Sequence, residues 1–111
     1  MSFNYPELIG DLNPEQRLHF YELFAHNLTI AIRGIWSDGG ISDAEKVERI
    51  RLVNEILHRV TSKVYVLRLN LHEWTEEDTW KVIEGYVAEN KGIESEVNAA
   101  IKFSYGVVGN A

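Results

Sequence analysis

Apolar residues recur along this chain in alternating steps of three and four, the spacing of one helix face. In the first such stretch they fall at Leu18, Tyr21, Ala25, Leu28, Ile32 and Ile35. Asn13-Pro14-Glu15-Gln16 opens it, with Asn13 as N-cap, Pro14 in the first turn and Gln16 placed to reach back. Ser37-Asp38-Gly39-Gly40 supplies the turn residues that end it near Trp36. A second stripe follows the capping box Ser42-Asp43-Ala44-Glu45: Val47, Ile50, Val53, Leu57, Val60, Val64 and Leu67. Thr75 and the acids Glu76, Glu77 and Asp78 mark a third helix start, where the helix dipole favours negative charge. Its inner face is Trp80, Ile83, Tyr86 and Val87, and Asn90-Lys91-Gly92 ends it. A fourth stripe runs Ile93, Val97, Ala100, Ile101, Ser104 and Val108. The predicted helices are therefore 14–36, 43–69, 76–89 and 93–107. Val64-Tyr65-Val66-Leu67 is β-prone, and a short strand is the competing reading there. No second run of similar quality exists to pair with it, so helix is preferred. The expected fold is all-α: a small helical bundle in one domain over 1–111, two long antiparallel helices carrying two shorter C-terminal ones.

The first helix is greasier than a surface helix needs to be. Of the 19 residues from Leu18 to Trp36, 12 are apolar. They span an arc of roughly 240°, against the little over 100° that faces a core in a surface helix. Leu52, Ile56 and Tyr65 broaden the second stripe in the same way. Two arrangements account for this excess. Helix one is central and wrapped by the other three, or part of its arc, Phe20, Leu23, Phe24, Ile30 and Ala31, is buried against a second copy. Large exposed apolar patches are uncommon on monomers and two-fold self-association is the commonest outcome, so a homodimer is the expectation.

Charge changes the picture in one half only. Residues 1–69 hold nine acids and eight bases, a balance of −1, while residues 70–111 hold eight acids and three bases, a balance of −5. An acidic C-terminal half repels a phosphate backbone, which argues against nucleic acid and leaves a basic protein as the partner it suits. Absence of cysteine removes disulfides, thiolate metal sites and a cysteine nucleophile, and fits a reducing compartment. The opening MSFNYPELIGDLNPEQ has no basic n-region and no apolar stretch, and the apolar stretch of helix one is interrupted by His19, Glu22, His26 and Arg33. A cytoplasmic protein without a membrane partner is the expectation.

The polar residues of helix one raise a second reading. His19, Glu22, His26, Thr29 and Arg33 lie in a sector of roughly 80°. His19, Glu22 and His26 stand at i, i+3 and i+7, a donor set that suits zinc or iron. His19 and His26 are about 10 Å apart along the axis, so a shared ion belongs nearer Glu22 and His26, with another ligand from elsewhere. The same residues also read as solvated helix-supporting pairs, Glu15–His19 and Glu22–His26. On helix two, Glu55-Ile56-Leu57-His58 resembles the E-x-x-H ligand pair of ferritin-like di-iron proteins; the resemblance implies glutamates from other helices completing the site. Glu55 and His58 project away from the apolar stripe, toward Arg51 and Ser62. Asp38 to Glu45 resembles the second half of an EF-hand calcium loop, but the positions expected to open such a loop are Gly34 and Trp36, which carry no carboxylate.

Catalytic patterns are missing. There is no nucleophile elbow, no P-loop and no dinucleotide-binding glycine motif. His72-Glu73-Trp74 sits in the connection before helix three, and Trp36, Trp74 and Trp80 suit core sealing better than a pocket. The expectation is a non-enzymatic, self-associating interaction module with an acidic C-terminal face and no cofactor. The alternative is a zinc or non-haem iron protein using His19, Glu22 and His26, or Glu55 and His58.

Overall fold

A computed structural model of the chain describes residues 5–69 and 75–109. Five α-helices account for nearly all of it: α1 (Tyr5–Gly10), α2 (Pro14–Trp36), α3 (Asp43–Arg68), α4 (Glu76–Glu89) and α5 (Glu94–Gly109). A 3₁₀ turn, Lys91–Ile93, joins the last two, and no strand occurs among the described residues. Val64 to Leu67 lies inside α3, so the β-prone run is helical.

The helix starts follow the local chemistry. Asn13 Oδ1 accepts from the Gln16 amide at 2.8 Å, and Gln16 Oε1 accepts from the Asn13 amide at 3.2 Å, a complete capping box. Ser42 caps α3 through Glu45 N–H at 3.1 Å, but the Glu45 carboxylate turns away from the cap. It accepts instead from Arg49 Nε at 2.8 Å and Asn90 Nδ2 at 2.9 Å, tying the start of α3 to the end of α4. Thr75 caps α4 at the Asp78 amide. α1 is the one helix the periodicity does not foretell, because six residues are too few to show a repeat.

Helices α2 and α3 form an antiparallel hairpin, with Glu22 and Arg68 bridging its open end at 2.6 Å. α3 and α4 are antiparallel as well: Glu45 meets Asn90, Glu55 meets the Tyr86 hydroxyl at 3.4 Å, and Lys63 meets Glu76 at 3.4 Å. α5 packs along the other side of α2, where Gln16 Nε2 donates to the Val108 carbonyl and Asn27 Nδ2 to Ser104 Oγ. The order around the bundle is α5, α2, α3, α4. Contact between α4 and α5 themselves is slight, and α1 lies against α4 beside that opening.

This order explains the wide apolar arc of α2. One side of the arc, Leu18, Ala25 and Ile32, packs partly buried on the core. Its centre, Phe20, Tyr21, Phe24 and Leu28, is fully buried. Phe24 stacks on Trp80 with centroids 5.8 Å apart, and Phe20 and Tyr21 pack close by the same indole. The α3 stripe is rotated from the predicted one: Leu52, Ile56 and Val60 are its centre, while Val47 is 61% exposed. The rotation also brings Lys63, seven residues after Ile56, into the core at 3% exposure.

Lys63 is tolerated there because a polar cluster receives it. The Glu76 carboxylate, in the first turn of α4, accepts a short hydrogen bond from the Tyr21 hydroxyl. It also lies 3.4 Å from Lys63 Nζ and 3.7 Å from Arg17 Nε. Lys63 Nζ further stands 5.9 Å from the centroid of the Tyr21 ring, close enough for a cation–π contribution. Arg17 in turn donates to the carbonyls of Ile9, Gly10 and Leu12, satisfying the end of α1. The buried Trp80 indole N–H lies near the Tyr21 hydroxyl of this cluster. One carboxylate thereby joins α1, α2, α3 and α4.

Two predictions follow from the cluster. Lys63→Met should cost about 3 kcal/mol, since it leaves the shielded Glu76 charge short of a partner, and adding Glu76→Gln should recover part of that loss; urea titration reads both. Burial, and then the negative Glu76 beside it, hold the Tyr21 phenol well above its ordinary value. The folded chain therefore keeps this proton where the unfolded chain releases it, near pH 10. The stability from the neutral phenol is complete below that pH and is lost as pH rises above it. Tyr21→Phe should lower stability at neutral pH by about 2 kcal/mol and make the decline above pH 10 shallower.

Candidate functional site

Two part-buried polar contacts tie the α2–α5 seam, Gln16 to the Val108 carbonyl and Asn27 to Ser104. Ser104 is fully buried, donates to the Ala100 carbonyl at 2.7 Å and accepts from Asn27 Nδ2 at 3.0 Å. On the core side of this contact stand Phe24 and Leu28 of α2 and Val97 and Ile101 of α5, all buried. Helical register puts Leu23 and Ile30 of α2, and Phe103 and Val107 of α5, on the opposite, outer side. Leu23 is half-buried, but Ile30, Phe103 and Val107 are 49%, 63% and 45% exposed. The seam therefore presents an apolar strip contributed by two helices. The Glu96 carboxylate lies on the same side of α5, toward its start, and one of its oxygens is buried without a hydrogen-bond partner among the described residues.

The strip divides the five residues predicted for self-association. Phe20 and Phe24 have no exposed surface. They belong to the core, because the helix presents more than one face to other helices, and their assignment to a self-association face is corrected. Leu23 and Ile30 are on the strip, and Ala31 is half-buried beside it. Phe103, Val107 and the Asn27–Ser104 pin were missed. The signal was present in the exposed i, i+4 pair Phe103–Val107, which falls outside the inner stripe of α5.

The polar sector of α2 borders the strip. His19 and His26 are exposed, whereas Glu22 is held by Arg68. Glu55 and His58 are also exposed, and Glu55 receives the Tyr86 hydroxyl. A shallow hollow of about 220 Å³ lies there, lined by Glu55, His58, Arg59, Ser62 and Tyr86. Arg68, the partner of Glu22, is ten residues beyond His58, about 15 Å along α3. The fold thus separates the two predicted ligand sets, and no group of three metal-binding side chains comes together among the described residues. In the loop that resembles an EF-hand, Asp38 Oδ1 accepts from the Gly40 amide at 2.8 Å, forming a turn, and Glu45 is engaged by Arg49 and Asn90. Trp36 is 64% exposed with Lys46 Nζ 6.0 Å from its ring centroid, so it does not seal the core, whereas Trp80 does. His72, Glu73 and Trp74 lie outside the described residues.

Searches against protein families, curated proteins and solved structures give no match. The reading of function therefore rests on this chain's own surfaces.

Core and strip separate by mutation. Phe24→Ala should cost about 3–5 kcal/mol, as a large buried aromatic does. In the monomer Phe103→Ala should change stability by no more than about 0.5 kcal/mol, and urea melts of the two variants at concentrations too low for association decide whether the assignment is right.

Proposed function

We propose that this protein is a non-enzymatic helical module that self-associates along the α2–α5 seam and offers its acidic C-terminal half to a basic protein partner. The observation that carries the reading is the strip of Ile30, Phe103 and Val107, three large apolar side chains left exposed on the outer side of two packed helices. Burying such surface is the main driving force for protein association, and aromatic side chains concentrate at the centres of interfaces. His19, His26 and Arg33, next around α2, give the strip the polar rim such interfaces carry. A two-fold arrangement suits it, because one strip lies against its own copy and the contact closes. Glu77, Glu84 and Glu89, exposed on α4, lie away from the strip and remain available to a second protein.

Analytical ultracentrifugation of the wild type and of Ile30→Glu and Phe103→Glu tests the first part. The wild type should sediment as a dimer and both variants as folded monomers, with dimer affinity weakened at least about a hundredfold. An unchanged mass in both variants, or a monomeric wild type at high concentration, removes self-association along this seam.

A further inference from the structure

The bundle is closed between α5 and α2, α2 and α3, and α3 and α4, and is left open between α4 and α5. The opening is a cleft of about 280 Å³. Its floor is made by Trp80, Ile83, Val97 and Ile101, none more than 2% exposed. Glu84 and Glu94 stand among its lining residues, and Tyr5 from α1 walls one end, its hydroxyl donating to Asn98 Oδ1 at 3.2 Å. Burial, and then the negative charge of Glu94, raise the Tyr5 phenol, which places that carboxylate's field within the cleft. We propose that this cleft docks a short basic segment of a partner protein, which lays an apolar side chain over Val87 and Ala88 above the Trp80 floor and sets flanking lysines or arginines on Glu84 and Glu94.

Size, charge and access all favour this occupant. The volume lies just under the roughly 300 Å³ at which pockets for cofactors and drug-sized ligands begin, so it suits an inserted side chain rather than a whole cofactor. The floor is apolar and the mouth is acidic, which selects an apolar group carried between cations over an anion or a neutral lipid. Lys91 is the one cation among the lining residues. Its ammonium is 3.9 Å from Glu94 and its side chain is 78% exposed, so it is held by a pair of the loose, screened kind that a partner's guanidinium displaces. This inference rests on the proposal that the acidic half meets a basic protein, and it is independent of self-association along α2 and α5.

The test is an NMR titration of the full ¹⁵N-labelled chain with three short synthetic peptides. One carries Phe-Leu between Lys/Arg flanks, the second replaces Phe-Leu by Ser-Ser, and the third replaces the flanks by Glu. The first should bind saturably, shifting the Trp80 indole N–H and the amides of Val87, Val97 and Ile101. The second should bind at least about tenfold more weakly, and the third not at all. In the Glu84→Lys/Glu94→Lys chain the first peptide should lose at least about tenfold in affinity, while the dispersion of the spectrum reports an intact fold. Ala88→Trp, which fills the cleft from an exposed lining position, should weaken the first peptide and leave the second unchanged. Equal binding of the first two peptides, or shifts confined to residues away from the cleft, overturns the docking groove while leaving an acidic face that binds by charge. Failure of both basic peptides overturns the groove and the acidic-face reading together.

Discussion

The Glu76 carboxylate is the constraint around which the bundle is arranged. It enters at the start of α4, where the helix dipole welcomes an acid. It then gathers the Tyr21 hydroxyl from α2, the Lys63 ammonium from α3 and, through Arg17, the end of α1. A lysine at 3% exposure is costly to desolvate without an opposite charge beside it, and the converse holds for the shielded carboxylate. Apolar packing alone would allow α4 to slide or rotate along the α2–α3 hairpin. The ion cluster allows one register, in which Trp80, one turn on from Glu76, meets Phe20, Tyr21 and Phe24.

A similar division between apolar bulk and a polar pin recurs at the α2–α5 seam. There Asn27 Nδ2 donates to Ser104 Oγ, and Phe24, Leu28, Val97 and Ile101 beside this contact are apolar and buried. Its position leaves hydrophobic surface on both sides: Phe24 and Ile101 turned inward, Ile30 and Phe103 turned outward. The inward set holds the chain together and the outward set stays exposed. The cleft on the opposite flank of α5 has another origin, arising because α4 and α5 are joined by a tight 3₁₀ turn yet diverge beyond it.

Much of this architecture was legible before any coordinates. The bounds of the helices follow from Asn13-Pro14, Ser42-Asp43 and Thr75-Glu76, because capping is local chemistry that a few residues specify. The breadth of the α2 arc was legible too, but not its division, since periodicity counts apolar residues without saying which neighbour each one meets. Phe20 and Phe24 were therefore placed on an outer face and proved to be the centre of the core. Lys63 was passed over for a related reason: it sits in phase with Ile56 and Val60, yet a lysine in that phase is read as solvent-facing until Glu76 and Tyr21 are seen to converge on it. The imidazoles and carboxylates of α2 and α3 share faces within each helix, but the crossing of the two helices decides whether they meet, and a linear pattern carries no such distance.

The attachment of α1 has a consequence for the timescales of this molecule. A helix of six residues does not hold its own hydrogen bonds in water, so α1 persists through what it touches: Trp80, Asn98 and the three carbonyls gripped by Arg17. The Tyr5–Asn98 contact closes a loop of 93 residues, whereas the α2–α3 hairpin needs only its own turn. α1 is accordingly the last element to dock during folding and the first to open by a local, partial transition that leaves the hairpin closed. An opening of α1 alone would withdraw Tyr5 from one end of the cleft while the α2–α3 hairpin stays closed.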